Sequence, residues 1–478
     1  MSVDRQQAPP VPPSGDQVRA VRRAWPVTQR GRAAGRGPRH RRERRPLYIP
    51  VAGKFTLAVA FMCLWVGLST WIAQGWITDL SRLGGPVVGW AVVILVALLP
   101  GAVVSFMAAS LALDRQPALR VAQPTTPVTV IVAARNEEAG IGETIASLWR
   151  AEYAGPVTVM LADNGSTDRT AEVARATADE LGIDLVIIRE ETPGKSNALN
   201  TALLSVTTPY VVTVDADTLL HREALSRLVS RLESAPGDTV AVAGTVLVRN
   251  SRTNLLARMQ EWDYYLGIAA VKRMQGLYQA TLVAQGAFSV YLTEEVRRIG
   301  GWPDAIGEDI VVTWKLMEGG NRVYFEPTAV AFTDVPVKVT HFMRQRARWA
   351  RGMFEGLRAV PPWRQQRPLT RFVAGIDLFI PFLDIGYALI WLPGILLFAL
   401  GFPLVVSAWT LVVFPMTLLV YGLVRTYQSK HVFGPLGLRV RRNRFGYAAF
   451  LLLYQALCST ASLAGYAQFL AGTRRRWK

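Results

Sequence analysis

Long apolar runs near both ends of the chain enclose a middle part in which short apolar runs alternate with amphipathic helical patterns. From Phe55 to Ile77 the residues are apolar except for Gln74 and a few hydroxyls, enough for a helix to cross a hydrocarbon core of about 30 Å. A short polar stretch with Asp79 and Arg82 predicts an outside loop, and Val87 to Leu111 predicts a second span, kinked at Pro100-Gly101. Two crossings return the chain to its starting side at Asp114. Toward the other end, Phe372 to Leu400 and Phe402 to Val424, parted by Gly401, read as a hairpin of two spans, and Phe445 to Ala471 as a fifth.

Residues 125 to 360 read as a soluble α/β domain inserted between these spans. Val128 to Ala134, VTVIVAA, is the continuous apolar run that a parallel strand covered on both faces requires, and Glu143 to Arg150 follows with helical spacing. Val157 to Ala162 and then Thr170 to Leu181 repeat the alternation, and LVIIRE and YVVTVDADT add two strands. The pattern predicts a doubly wound sheet whose ligands sit beyond the carboxyl ends of its strands.

The formal net charge of +18 comes largely from the termini and one loop. Residues 1 to 46, rich in Pro, Gly and Arg, carry too little apolar surface to fold and read as a disordered basic tail. The run Arg39 to Arg45, directly before the first apolar segment, places that tail in the cytoplasm beside anionic lipid. The basic loop 425 to 444 belongs on the same side. Five crossings, however, leave Arg474, Arg475, Arg476 and Lys478 outside, against the positive-inside bias. A segment around Asp377 and Asp384 that lies in the interface would remove the conflict. No zinc finger, helix-turn-helix or aromatic RNA platform accompanies the charge, which argues against a nucleic-acid partner. Cys63 and Cys458, far apart in apolar runs, make neither a disulfide framework nor a metal cluster.

Polar clusters follow the apolar runs in order. Asn136 and Glu138 come after the first strand, and Asp163-Asn164-Gly165 after the second. Such groups accept hydrogen bonds from a base and ribose, although Asx-Gly turns that cap helices look alike. Lys195 stands on a Gly turn before a helix, where a point charge beside N–H donors suits a diphosphate. Asp215 and Asp217, one residue apart at a strand end, can hold a hard divalent ion that also takes phosphate oxygens. Glu308 and Asp309 precede Gln345, Arg346, Arg348 and Trp349 by roughly 35 residues, offering a base for a hydroxyl and a cation for an anionic leaving group. A helix cap and a basic interfacial helix, with Trp349 as a lipid anchor, are the plainer alternative.

From Pro127 to Gly352 the chain resembles the membrane-embedded family 2 inverting glycosyltransferases of GT-A fold, the group of cellulose, hyaluronan, chitin-oligomer and poly-N-acetylglucosamine synthases. GGWPDAIGEDI, YFEPTAVAFTDVP and RQRARWARG are most similar to the bacterial poly-β-1,6-N-acetylglucosamine synthases. The resemblance implies an α/β GT-A domain with a mixed sheet between N- and C-terminal spans, in a bacterial inner membrane with the domain cytoplasmic. It implies Asp163 at uracil, Lys195 at the pyrophosphate, and Asp215 and Asp217 at the nucleotide and its Mg²⁺ or Mn²⁺. Asp309, next to Glu308, matches the general base, and Gln345, Arg348 and Trp349 match the Q-x-x-R-W motif, with Arg348 near the diphosphate and Trp349 under the acceptor sugar. The implied partners are a UDP-sugar, a growing polysaccharide or glycolipid acceptor and membrane lipids, with room for a small membrane partner subunit. Gly307 stands where Thr is commoner, and Gln285 to Tyr291, QGAFSVY, diverges around the acceptor segment, which leaves sugar and linkage open. A processive synthase using UDP-N-acetylglucosamine is the first expectation. A hyaluronan- or cellulose-like synthase, or a single transfer to a lipid, is the alternative, with a silent scaffold or a transporter disfavoured.

Overall fold

The computed structural model describes residues 49–406 and 413–472. The predicted tail over 1 to 46, the terminal Arg474 to Lys478 and residues 407–412 of the predicted hairpin lie outside them.

Eight strands form one sheet: β1 (Val128–Ala134), β2 (Val157–Asp163), β3 (Leu185–Arg189), β4 (Tyr210–Asp215), β5 (Leu219–Leu220), β6 (Thr239–Val248), β7 (Phe288–Leu292) and β8 (Arg322–Thr333). Their order is β3-β2-β1-β4-β7-β6-β8-β5. The first four are parallel, and β1 has only one residue that is not fully buried, which is why its sequence is almost wholly apolar. β7 runs antiparallel to both β4 and β6, while β6 and β8 are parallel, so the sheet is mixed. The winding changes direction between β1 and β4. Register sets Ala134 beside Asp163 on one flank and Ala133 beside Asp215 on the other, so the carboxylates that end β2 and β4 bracket the crevice where ligands bind in open α/β sheets.

Helices cover both faces. Ile141, Ile145 and Leu148 pack on one face together with Leu225, Leu228 and Leu232, and Leu199, Leu203, Trp302 and Trp314 pack on the other. The second core also takes in Ala58 and Phe106 of the N-terminal apolar helices, so the domain and the flanking helices share a core.

Among the described residues four helices are long and apolar enough to cross a membrane: Val51–Ile72, Pro86–Leu113, Pro368–Ala399 and Arg444–Leu470. Two flank the domain on each side. The outside loop predicted around Asp79 and Arg82 is instead the helix Gln74–Gly84, whose Trp76, Ile77 and Leu80 are buried. Those positions share one face at helical spacing, and this amphipathic face folds the segment back onto its neighbours. At Pro100 the second long helix continues through a wide turn over Ile94–Leu98, which loosens the preceding turn, whose carbonyl a proline ring would otherwise crowd. The predicted loop 425 to 444 is helical in its first part, through Val413–Tyr427 and the turn Gln428–Phe433. Asp384 accepts hydrogen bonds from Ser459 at 2.7 Å and Tyr466 at 2.6 Å, tying the third long helix to the fourth as polar contacts between apolar helices do.

A continuous helix over 255–277 joins the domain to these segments. Its Arg273 makes a buried ion pair with Asp114 at 2.5 Å and lies 3.2 Å over the ring of Tyr427. An ion pair this dry fixes geometry more than it adds stability.

Candidate active site

The crevice beyond β1 and β4 opens into a cavity of about 1190 Å³. Asn136, Lys195, Asp215, Asp217, Glu308, Asp309, Gln345, Arg348 and Trp349 all line it. Segments more than 200 residues apart in the chain thus meet in one place. Glu138 and Asp163 do not line it. Glu138 accepts from the backbone N–H of Arg169 at 3.1 Å, and buried Asp163 accepts from that of Ser166 at 3.1 Å.

The loop after β1 is stapled to the loop after β2. Asn136, with φ 55°, accepts from the backbone N–H of Thr167 at 2.8 Å, and a short amide side chain is among the few that tolerate this left-handed conformation. Asn164 then holds the next turn. Its Nδ2 donates to the Thr192 carbonyl at 2.8 Å, and its Oδ1 accepts from Gly194 N–H at 2.8 Å, which fixes the start of the helix Lys195–Leu204. Sequence reasoning read Asp163 as the working residue of that cluster. The structure gives the positioning of Lys195 to its neighbour Asn164, a role that a lone amide in a Gly turn does not announce.

Lys195 Nζ donates to Asp215 Oδ1 at 2.5 Å and lies 3.5 Å from Glu308 Oε1. Burial would depress this ammonium, but Asp215 and Glu308 hold it above the ordinary lysine range. Glu308 is raised by burial to about 7, with Lys195 opposing and Asp309 adding to the rise. One ammonium between two carboxylates cannot fully compensate both, and the closer Asp215 takes most of it. Gly286 makes room for this cluster, since a Cβ there would lie 2.5 Å from Lys195 Nζ.

Asp217 accepts from Thr333 Oγ1 at 3.1 Å, and burial followed by the Asp215 charge pushes its carboxyl up to about 6. A cation would reverse that penalty. Among the described residues no group of three or more His, Cys, Asp or Glu converges as a metal site. Two carboxylates at a strand end, leaving the rest of the shell to phosphate oxygens and water, fit a Mg²⁺-type ion that arrives with its nucleotide.

Glu308 and Asp309 occupy the first turn of the helix Glu308–Glu318, where negative charge meets the positive end of the helix dipole. That helix crosses Val339–Ala359, which carries the Q-x-x-R-W residues, with almost no gap. A Cβ at Gly307 would lie 2.7 Å from the Cα of Gly352, so glycine at both positions lets Asp309 and the Arg348-Trp349 pair share one pocket. Between the motif residues, buried Arg346 donates to Asp263 at 3.0 Å and to Tyr454 at 2.6 Å, and its guanidinium lies 4.1 Å from the Trp349 ring. Sequence reasoning missed Asp263, Lys272 and Tyr454 on this wall. None of them stands in a motif, and only the helix over 255–277 brings the first two here.

The cavity does not stop at the carboxylates. It runs on between the apolar helices, along Val103, Tyr387, Trp391, Leu418, Phe450 and Cys458.

Residues 124–352 match the family described as "Glycosyltransferase like family 2". The poly-beta-1,6-N-acetyl-D-glucosamine synthase of Staphylococcus aureus (strain COL) is 32% identical over 234 residues, 48% of this chain and 55% of that one. The synthase of the same name from Staphylococcus epidermidis is 30% identical over 239 residues, 49% of this chain and 56% of its own. The chain spans about half the length of the curated relatives it matches. Among solved structures, a mannosyltransferase from Pyrobaculum calidifontis in complex with GDP-Man and Mn²⁺ superimposes with a TM-score of 0.55 at 20% identity, over 80% of this chain and 99% of that one. Fold and sequence agree that this chain carries, over residues 124–352, a family 2 glycosyltransferase domain of GT-A fold.

Proposed function

We propose that this protein is an inverting, processive β-glycosyltransferase that builds a polysaccharide from a UDP-sugar, UDP-N-acetylglucosamine first, and passes it across a membrane. The observation that carries the reading is the single cavity reaching from Asp215 and Asp309 to Trp391 and Cys458 between the apolar helices. A product leaving the catalytic carboxylates has a continuous cavity leading between the apolar helices. The names of the staphylococcal relatives support the choice of sugar.

In this mechanism an acceptor hydroxyl attacks the anomeric carbon of the donor from the side opposite UDP. The new C–O bond forms as the bond to the β-phosphate oxygen breaks, and Asp309 takes the hydroxyl proton. Lys195 and Arg348 face the diphosphate and Asn136 and Gln345 contact donor and acceptor, while Asp163 and Glu138, through Ser166 and Arg169, hold the loop that lies at the uracil. Trp349 offers the acceptor ring a flat apolar face. Asp215 and Asp217 would hold Mg²⁺ or Mn²⁺, which supplies charge against the departing diphosphate; the mannosyltransferase of similar fold was solved with Mn²⁺. The domain faces the cytoplasm of a bacterial inner membrane. Five spans are proposed, the described helix Val413–Tyr427 forming part of the fourth, Phe402 to Val424. Lipid surrounds them, and a small membrane subunit is a possible partner.

The test is UDP release by the purified protein in lipid, with each UDP-sugar alone and with Mg²⁺, Mn²⁺ or chelator, and with the product sized on a gel. Turnover on UDP-N-acetylglucosamine with a long product supports the reading. A short product extractable into organic solvent would replace it with single transfer to a lipid.

A further inference from the structure

Two lysines line the cavity, and they are balanced differently. Lys195 has two carboxylates beside it. Lys272, on the helix Ala269–Leu277 and 8% exposed, has no carboxylate oxygen within 4.0 Å among the described residues. Its Nζ donates to the Val283 carbonyl at 3.0 Å and to Gln285 Oε1. The Gln285 amide is oriented in turn, because its Nε2 donates to the Gly244 carbonyl at 2.7 Å. An ammonium has three N–H donors, so one remains beyond these two acceptors. The ring of Phe325, 5.9 Å from Nζ, closes another side.

A buried ammonium without a counter-charge is costly unless something entering the site completes its shell. Burial pushes Lys272 down to about 7, with the Asp309 charge opposing, so the third N–H is present in the ammonium form, which an oxygen bound there would favour. Gln285 and Val283 line the same cavity, and Asp309, the base at which the acceptor hydroxyl would lie, is the charge that acts on Lys272. The arrangement leaves Lys272, on the cavity wall, one N–H donor with no acceptor of its own.

We propose that Lys272, oriented by Gln285 and the Val283 carbonyl, is an acceptor-side subsite that binds a carbonyl-type oxygen on the acceptor sugar and discriminates against a free amino sugar. This rests on the glycosyltransferase reading above. Within that chemistry the oxygen is an acetamido carbonyl or a uronate carboxylate, both of which accept from the ammonium. A protonated amine at the same place would set two cations side by side.

The experiment uses the full chain in lipid, UDP-N-acetylglucosamine as donor, and three oligosaccharide acceptors: fully N-acetylated, fully de-N-acetylated, and terminated by a uronate. Wild-type protein is expected to extend the acetylated acceptor at least about tenfold better, in kcat/KM, than the de-N-acetylated one. A uronate extended best would assign the subsite to a carboxylate. In Lys272→Met the ratio between acetylated and de-N-acetylated acceptors is expected to fall to near one, and in Lys272→Arg to recover in part. The ratio is measured within one sample, so loss of folded protein cancels. An unchanged ratio in Lys272→Met, or no preference in wild type, overturns the subsite while leaving the transferase reading intact. Wild-type protein that releases no UDP from any donor overturns both.

Discussion

The ammonium of Lys195 joins residues from three separate elements: it lies 2.5 Å from Asp215 at the end of β4 and 3.5 Å from Glu308 at the start of the helix that bears Asp309. The carboxylates at the end of one strand and the start of one helix are therefore held together by one charge. Removing it leaves two carboxylates facing each other, Glu308 largely buried and Asp215 partly solvated, which screens part of the cost. Breaking a buried ion pair from one side costs about 3–5 kcal/mol. Lys195→Met is expected to lower Tm by several degrees and cut UDP-sugar turnover at least about a hundredfold. Adding Glu308→Gln to it should recover part of the lost Tm, because the pair is coupled. Thermal shift of wild type, the two single variants and the double variant in one detergent checks this, and additive losses would show that the contact is idle.

Glu308 also gives the site a pH signature. Burial sets its folded carboxyl at about 7 against an ordinary value of 4.5. Between those values the native state keeps a proton that the unfolded chain has released, so this group's contribution to stability falls as pH rises through the window. Below it, both states are protonated and the group is silent. Glu308→Gln removes the titration, so the difference in Tm, variant minus wild type, is expected to climb from pH 5 to pH 8. A flat difference would contradict the raised value.

Asp309 and Asp217 separate catalysis from binding. Asp309→Asn keeps shape and hydrogen bonding but accepts no proton, and is expected to lose about 10²- to 10⁴-fold in transfer while still binding UDP. Asp217→Asn is expected to weaken UDP binding in the presence of Mn²⁺ and to leave the weaker, metal-free binding almost unchanged. Calorimetric titration with UDP, with and without Mn²⁺, distinguishes the two.

How much of this was legible in the chain depended on the range of the interaction. The four parallel strands could be read because burial on both faces imposes a continuous apolar run, and the observed Val128–Ala134 and Thr170–Leu181 have the bounds that the residues predict. The motif carboxylates could be placed at strand ends for the same reason. The antiparallel insertion of β7 could not, since Phe288–Leu292 pairs with strands more than 40 residues away in sequence. Gly307 looked like a departure from pattern. Its meaning lies in Gly352, across the contact, and no local signal links the two. Lys272 was invisible because its isolation from carboxylates is a property of the fold.

The glycine contact makes its own prediction. With a Cβ at position 307 meeting the Gly352 backbone at 2.7 Å, and one at 352 meeting Gly307 at 2.9 Å, neither side has a flexible atom to give way. Gly307→Thr, which installs the residue commoner in the resembling family, is expected to cost activity here at least about tenfold, since a 1 Å displacement of catalytic groups can cost a hundredfold. The loss should fall on kcat more than on donor KM, because Lys195 and Asp215 stand on other elements. Equal activity would mean that the two helices can part without consequence.

Arg346 ties Trp349 to the last long apolar helix, and its loss should separate chain growth from chemistry. It is buried, it donates to Asp263 on one helix and Tyr454 on the last long helix, and its guanidinium lies 4.1 Å from the Trp349 ring. Arg346→Met keeps the bulk and removes the charge, leaving Asp263 with only the Tyr454 hydroxyl, which donates at 2.8 Å. Trp349 then loses the cation that stacks on it, an interaction worth about 0.5–2 kcal/mol, and gains freedom to leave the acceptor. If Trp349 holds the growing chain at the entrance to the membrane cavity, more frequent release follows. The expected result is a shorter product at a rate of UDP release reduced by less than about tenfold. Trp349→Ala should shorten the product further and Trp349→Phe less, because a ring face remains. Product sizing alongside UDP release on the same samples checks the order, and unchanged lengths in all three would place Trp349 outside the acceptor path.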